Sequence, residues 1–373
     1  MIMPKIVHMT SAHPAFDTRI FLKECRTLAQ AGYDVVLVAS HTRDEIVDGV
    51  RIRAVPKSKG RMERFTKTSW QVYKAAAAED GDLYHIQNEL ELLFWGQLLR
   101  LKGKKVIYDM HENLLKSIPT KPWIKPLFRP LVALVCAILE RILMRKIPVI
   151  FAEDSYSKDY RWVKKSTTVL NMPLTSQLMQ INETKYSKPT LGYIGGVTPE
   201  RGSIVTLDAL KILKSKGYAV DWECIGPLDY THRKELRHLI NRYGLEGVRV
   251  RGYLSPTEGW PVIARCHIGL ALLKPIPNYY ESYPTKLFEY MALGLPVITS
   301  NFPLYRQVVE KEKCGICVDP ESPEETAQAV QYLLEHWDEA VAMGKRGQLA
   351  AVEKYNWELE QKKLLHFYDS LLV

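Results

Sequence analysis

Twice along the chain, short apolar runs recur with helical stretches between them, and this alternation restricts the fold more than any other feature of the sequence. The first series comprises residues 5–9, 34–39, 83–86, 105–108 and 148–152; the second comprises 191–194, 222–225, 248–250, 268–272, 297–299 and 315–318. A strand that is apolar along its whole length is buried on both faces, as in a parallel sheet covered by helices. Strands alternating with helices give an α/β, doubly wound architecture. Two series predict two Rossmann-like domains, at 1–172 and 173–354, with a polar linker between Pro173 and Pro189. Ligands of such sheets sit at the carboxyl ends of the strands, so two domains facing each other are expected to place a cleft there.

Composition narrows the chemistry. At 373 residues the chain can bury two ordinary cores. Its net charge of +9 favours acidic partners. No Gly-x-Gly-x-x-Gly follows a strand, which argues against a nicotinamide or flavin reader. Cys314 and Cys317 form the one Cys-x-x-Cys among six cysteines; with no second pair and no nearby histidine, they read as buried thiols. Met1 leads almost directly into a strand, and no apolar run reaches the ~20 residues of a membrane span. A cytoplasmic, reduced protein is the expectation.

The densest local pattern runs from Asn278 to Ser300. Pro284 suits a first helical position. Leu287, Tyr290 and Met291 follow at helical spacing, Gly294 ends the helix, and 295–298 open a strand. The N–H groups of Thr285, Lys286 and Leu287 then lie at the positive end of a helix, a seat for phosphate. Glu281 falls just outside this helix and Glu289 just over one turn inside it. Two carboxylates cannot both serve the phosphate; they are better suited to accepting hydrogen bonds from hydroxyls, such as those of a ribose and a sugar.

Two glutamates separated by seven residues, entered through Pro-Thr-Lys and left through Gly-Leu-Pro-Val-Ile, resemble the signature of family-four glycosyltransferases of the GT-B architecture. The resemblance implies that Glu281 contacts a donor sugar and Glu289 holds the ribose of its nucleotide. It extends to Tyr193-Ile-Gly195-Gly196, which looks like the family's glycine loop, with Arg201 where a lysine is usual and Gly196 where an arginine is common. Lys286 can reach a phosphate oxygen and make up the missing cation. Tyr253, after a strand and before a Ser255–Glu258 capping box, is the candidate for the base, or else an edge-of-core residue. His111, at the end of the 105–108 strand, matches the family's functional histidine near the donor sugar. The family's last helix implies that 355–373 returns to the first domain from Trp357.

On the acceptor side, Asp17 and Arg19 either position substrate or pair with each other. His85 reads as a buried strand residue, and Asp80-Gly-Asp82 as a turn rather than a metal motif. Residues 121–146 carry apolar side chains flanked by Lys121, Lys125, Arg129, Arg141, Arg145 and Lys146. They form either a buried helix with a basic rim or a segment resting on an anionic membrane, on the inner face of the plasma membrane.

Together these imply an anomer-retaining, metal-independent glycosyltransferase of hexosyl type. It would move sugar from a nucleotide-diphosphate sugar, UDP favoured, to a glycan or lipid-linked acceptor in surface-polysaccharide synthesis. No resident cofactor, metal or nucleic-acid partner is expected. A GT-B sugar-nucleotide epimerase and a non-catalytic nucleotide-sugar-binding scaffold are the alternatives.

Overall fold

The computed structural model describes residues 3–118 and 124–372. It divides into two compact units, one of Met1–Asn171 with Trp357–Val373, the other of Met172–Asn356.

The first unit is built on an eight-stranded sheet in the order β3-β4-β2-β1-β5-β6-β7-β8. Its strands are β1 (Lys5–Pro14), β2 (Asp34–Ser40), β3 (Glu45–Val47), β4 (Val50–Val55), β5 (Leu83–Gln87), β6 (Lys105–Met110), β7 (Val149–Phe151) and β8 (Ser166–Thr168). All pairings are parallel except β3 with β4. Val7, Met9, Val36, Val38, Tyr84, Ile86 and Val106 share one buried cluster. This alternation of positions is what a sheet packed by helices requires. The β3–β4 hairpin was not anticipated from the apolar runs, although its turn is an Asp48-Gly49 pair with φ of 50° and 79°. Those dihedrals match the twist of flanking strands, which is why Asp-Gly marks hairpins.

The second unit holds six parallel strands in the order β11-β10-β9-β12-β13-β14. They are β9 (Thr190–Ile194), β10 (Asp221–Ile225), β11 (Val248–Gly252), β12 (Ile268–Ala271), β13 (Val297–Ser300) and β14 (Gly315–Val318). Cys314 is buried and Cys317 half-buried; both are free thiols. The changeover between units falls at 171/172 rather than across a long linker. Thr175–Leu178 is already a helix, packed on the helices Thr285–Ala292 and Trp337–Glu353 of its own unit.

The terminal helix Trp357–Leu372 belongs to the first unit, against β8 and the helix Thr18–Cys25. Trp357 is buried and its Nε1 donates to Thr27 Oγ1 at 2.9 Å. Tyr368, one face and three turns on, is fully buried.

The helix Arg129–Leu143 lies on the surface of the first unit, which corrects the buried reading of its apolar stripe. Leu131, Leu134, Ile138 and Ile142, with Leu127 and Phe128 of the preceding turn, are 51–84% exposed. Val132, Ala133, Cys136 and Ala137 are half-buried, and Glu140 is the one buried residue of the helix. A helix apolar on both sides leaves sequence periodicity unable to say which side faces in. Lys121 and Trp123 lie outside the described residues.

Replacing Trp357 by alanine removes a buried indole and its hydrogen bond to Thr27. We expect a loss of about 3–5 kcal/mol in the first unit, read as a lower denaturant midpoint with the second unit's transition unmoved.

Candidate functional site

In the second unit the sheet order reverses at β9, which lies between β10 and β12. Chain leaving β9 and chain leaving β12 therefore diverge, and the loops at that switch point are where doubly wound sheets hold ligands. Gly195 follows β9 with φ +133°, a left-handed conformation open to glycine. A Cβ on Gly195 would meet Lys286 Cε and Nζ at 3.3 Å, and one on Gly196 would meet Arg201 at 3.7 Å. A Cβ on Gly226 would lie 1.7 Å from the Gly195 carbonyl oxygen. The glycines thus let two cations close over bare backbone.

Both cations are poorly hydrated. Lys286 is 7% exposed, its Nζ 4.9 Å from the centre of the Tyr193 ring. Arg201 stacks on Tyr279 at 5.4 Å and donates from Nε to its hydroxyl at 3.2 Å. Burial drives Lys286 down to about 7, the Arg201 charge pushes the same way, and Glu289 opposes them. Like charges in a dry site, offset only in part by Glu289, are costly, and an oxyanion relieves the cost.

The helix Thr285–Ala292 carries Lys286, Leu287 and Glu289. Pro284 is its cap, at φ −77° and ψ 109°, rather than its first helical residue. In consequence Leu287 donates its N–H to the Pro284 carbonyl at 2.9 Å, so Leu287 leaves the expected phosphate seat. The N–H groups of Thr285 and Lys286 precede the first intrahelical acceptor. Gly294, at φ +69°, closes the helix: its N–H reaches Met291 and that of Leu295 reaches Tyr290, the Schellman arrangement. Glu281 stands exposed in the turn before the helix, and Glu289 half-buried on it. Tyr253 follows β11 with 70% exposure, so it is no core residue; the Ser255–Glu258 capping box after it is formed.

In the first unit the corresponding reversal lies between β1 and β5. His111 follows β6, with its N–H and that of Glu112 held by Asn88 Oδ1 at 2.9 and 3.2 Å. Its Nε2 lies 3.0 Å from Asp109 Oδ2, and the imidazole is 16% exposed. Burial lowers His111, so it is neutral near pH 7.

Asp17 and Arg19 do not join their side chains. Asp17 caps its helix, accepting from the Arg19 and Ile20 N–H groups at 2.9 and 3.0 Å. Arg19 points inward, 4% exposed, and donates to both oxygens of Asp109 and to the Val169 carbonyl. A buried guanidinium cannot contact acceptor, and Arg19 leaves the acceptor side for that reason. His85 is fully buried against Tyr368 at 2.5 Å, but its Nε2 has no hydrogen-bond partner among the described residues. Asp80 and Asp82 sit in a turn, bonded to Lys104 and to the Lys5 N–H.

The sequence reading missed His13 and Glu89. His13 Nδ1 is 3.4 Å from Asp17, its Nε2 3.9 Å from Glu89, and its ring 5.8 Å from that of His111. Burial pulls His13 down, but Asp17 and Glu89 more than offset it and raise it. Glu89 is pushed up to about 7 by burial while accepting from Thr10 Oγ1 and the Ala12 N–H. Their position, His13 in the last residues of β1 and Glu89 just past β5, at the switch point, was the available signal.

Among the described residues, Glu24, Asp109 and His111 offer donor atoms within 4.8 Å of one another, as do His8, Glu24 and His85. The cation that neutralises these carboxylates in the structure is Arg19.

Two family models cover most of the chain: glycosyl transferases group 1 over residues 175–350, and glycosyltransferase family 4 over residues 18–160. Among curated relatives, D-inositol 3-phosphate glycosyltransferase of Corynebacterium urealyticum is 31% identical over 190 residues, 50% of this chain and 44% of the relative. A GDP-mannose-dependent phosphatidylinositol monomannoside mannosyltransferase of Mycobacterium tuberculosis is 37% identical over 188 residues, 48% of this chain and 47% of the relative. The aligned stretch thus spans less than half the length of these relatives. Anabaena HepE, solved with UDP and glucose, superposes with a TM-score of 0.74 over 99% of this chain and 100% of its own, at 15% identity. Sucrose-phosphate synthase of Thermosynechococcus elongatus gives 0.73 over 99% of each chain, at 19% identity. Likeness at that identity establishes the fold.

The charge state of Lys286 yields a pH signature. A diphosphate diester does not itself titrate near neutral pH; seated beside Lys286, it would favour the protonated amine and raise the amine's value from about 7. Affinity should be flat below pH 7 and fall up to about tenfold per unit above it. Calorimetry in two buffers of different ionisation enthalpy should show proton uptake at pH 8, and Lys286→Met should abolish it.

Proposed function

We propose, from the premise that the chain belongs to the family-four glycosyltransferases of the GT-B fold, that it transfers a hexosyl group from a nucleotide-diphosphate sugar with retention of anomeric configuration. The observation that carries this reading is the pair of desolvated cations, Arg201 and Lys286, set over Gly195 and Gly196. They would take the diphosphate, with the Thr285 and Lys286 N–H groups behind them. Glu289 would accept the ribose hydroxyls, Glu281 the sugar hydroxyls, and the exposed Tyr253 ring would cover the base. UDP is favoured because HepE is solved with UDP-glucose.

Transfer would proceed on one face of the sugar. The bond from C1 to the diphosphate oxygen breaks as the acceptor oxygen bonds to C1, and the acceptor proton passes to the leaving phosphate. The protein's share is positioning and stabilising charge on the leaving group. The cations assigned to that charge are side chains, so turnover is expected in the presence of chelator. Incubation with a panel of nucleotide sugars and chelator tests the reading: acceptor-dependent release of nucleoside diphosphate and an NMR-assigned retained anomer support it. Release with sugar isomerisation, or binding without turnover, would replace it by an epimerase or a scaffold.

The acceptor we assign is a glycan, lipid-linked and held at an anionic membrane in surface-polysaccharide synthesis. The outward face of the helix Arg129–Leu143 supports this. Its exposed apolar row is bordered by Lys125, Arg129, Arg141, Arg145 and Lys146, while Glu140 is buried against the Tyr160 hydroxyl at 2.8 Å. Apolar side chains with cations at their edges suit an interfacial position. No helix among the described residues is long and apolar enough to cross a membrane.

Glu289→Ala should weaken nucleoside diphosphate binding by about 1.5–3 kcal/mol, the worth of charge-assisted bonds to two hydroxyls. Unchanged affinity in a folded variant removes Glu289 from the site. Leu131→Glu with Ile138→Glu should release the protein from vesicles containing phosphatidylglycerol and leave nucleotide affinity intact. Absence of wild-type flotation with such vesicles at low salt contradicts the membrane assignment.

A further inference from the structure

Beneath His111 the first unit buries more ionisable groups than a core needs. Arg19, Glu24, Asp109, His8, His85 and Tyr368 are all 4% exposed or less. They come from five separate elements, including the terminal helix. Arg19 donates to Asp109 Oδ1 and Oδ2 at 2.9 and 3.0 Å, and its Nε lies 3.0 Å from Glu24 Oε1. Glu24 Oε2 accepts from Gln87 at 2.9 Å. His85 Nε2 stands 3.8 Å from Asp109 Oδ2, with its other nitrogen on the Tyr368 hydroxyl.

Two carboxyls share one guanidinium in a dry site, and both cannot stay ionised. Burial and the Asp109 charge raise Glu24 well above the usual range. Burial opposes ionisation of Asp109 too, but Arg19 and His111 reverse that and hold it low. The proton therefore resides on Glu24 and the charge on Asp109. His111 Nε2 is buried, 3.0 Å from that charge and with no other acceptor, though out of line for a straight hydrogen bond. Nδ1 has no hydrogen-bond partner among the described residues.

We infer that Asp109, clamped by Arg19, is a positioning residue that fixes His111 as its Nε2–H tautomer and turns the Nδ1 lone pair toward the ligand. Nothing in the group-transfer chemistry above assigns Asp109, Arg19 or Glu24 a part. The inference rests on the proposed function only for the chemistry of that ligand, a hydroxyl that Nδ1 can accept from. Which ring nitrogen carries a proton is set by what the other one meets.

Nitrogen-15 NMR of the full chain, with histidine labelled, reads the tautomer directly at pH 7.5. The expected wild-type signal for His111, assigned through its loss in His111→Gln, is Nε2–H. Asp109→Asn should mix or switch the tautomer, lower kcat by roughly a hundredfold, the low end of what a positioned acid–base group contributes, and leave nucleoside diphosphate Kd unchanged. Glu24→Gln mimics the protonated acid and should keep the Nε2–H form. If Asp109→Asn fails to fold, Arg19→Lys keeps the charge, loosens the clamp and should still mix the tautomers. A wild-type Nδ1–H signal overturns the inference, as does a folded Asp109→Asn with wild-type tautomer and kcat. So does a Glu24→Gln that switches the tautomer. The NMR result stands whether or not any nucleotide sugar is turned over, so failure of the transferase reading is separable from failure of this one.

Discussion

A parallel strand can be paired with its neighbour only after a crossover of a dozen or more residues, and both units are built almost wholly from such pairs. The carboxyl end of every strand but β3 is therefore followed by a loop on one edge of its sheet. Where the winding reverses, at β1/β5 and at β9/β12, the loops part instead of packing together. His13, Glu89, Gly195 and Arg201 all lie within a few residues of those strand ends. Loops there are free to carry polar groups because the sheet beneath supplies the core, with Val7, Tyr84, Leu191 and Leu270 fully or almost fully buried.

The buried arginine of the first unit and the buried cation pair of the second are handled in opposite ways. In the first, Arg19 is matched by Asp109 and Glu24, and the surplus proton is absorbed by a carboxyl. Such a network is stiff, and its parts are useful for holding something else in place. In the second, Arg201 and Lys286 reinforce each other's discomfort, and Lys286 answers by giving up its proton readily. Two buried cations with no ion-paired carboxylate among the described residues suit an anion, whereas a cation held by two carboxyls is scaffold.

That contrast explains what was legible in the sequence. The strands read from apolar runs are present, as is the fold class, because burial on both faces leaves a continuous signature. The placing of Lys286 and Glu289 on one short helix was legible because their neighbours form one local string. Arg19 was not: its partner Asp109 is 90 residues away, and nothing local separates a buried arginine from one in a loop that meets substrate. Leu287 was misjudged by a single residue of helix phase, enough to spend its N–H on Pro284. The β3–β4 hairpin carried its signal in Asp48-Gly49, but Arg51 and Arg53 interrupt the apolar run of β4 and hid the strand. Those arginines are satisfied by Glu79 of a distant turn.

The surface helix Arg129–Leu143 poses the last question, namely what covers it. Fifteen residues make a rod about 22 Å long, and each large apolar side chain left in water forgoes roughly 1.5–3 kcal/mol of burial. A second copy of the same helix would hide the apolar row, yet both ends of the row are cationic: Lys125 and Arg129 before it, Arg141, Arg145 and Lys146 after it. Parallel pairing would set each cationic end on its twin, and antiparallel pairing would set one cationic end on the other. The helix's one carboxyl, Glu140, is buried against Tyr160 and cannot relieve either arrangement. Like charges facing each other destabilise the contact in both registers. A surface that offers apolar depth and a layer of anions satisfies the row and both of its ends together, each cation adding about 1 kcal/mol near such a layer.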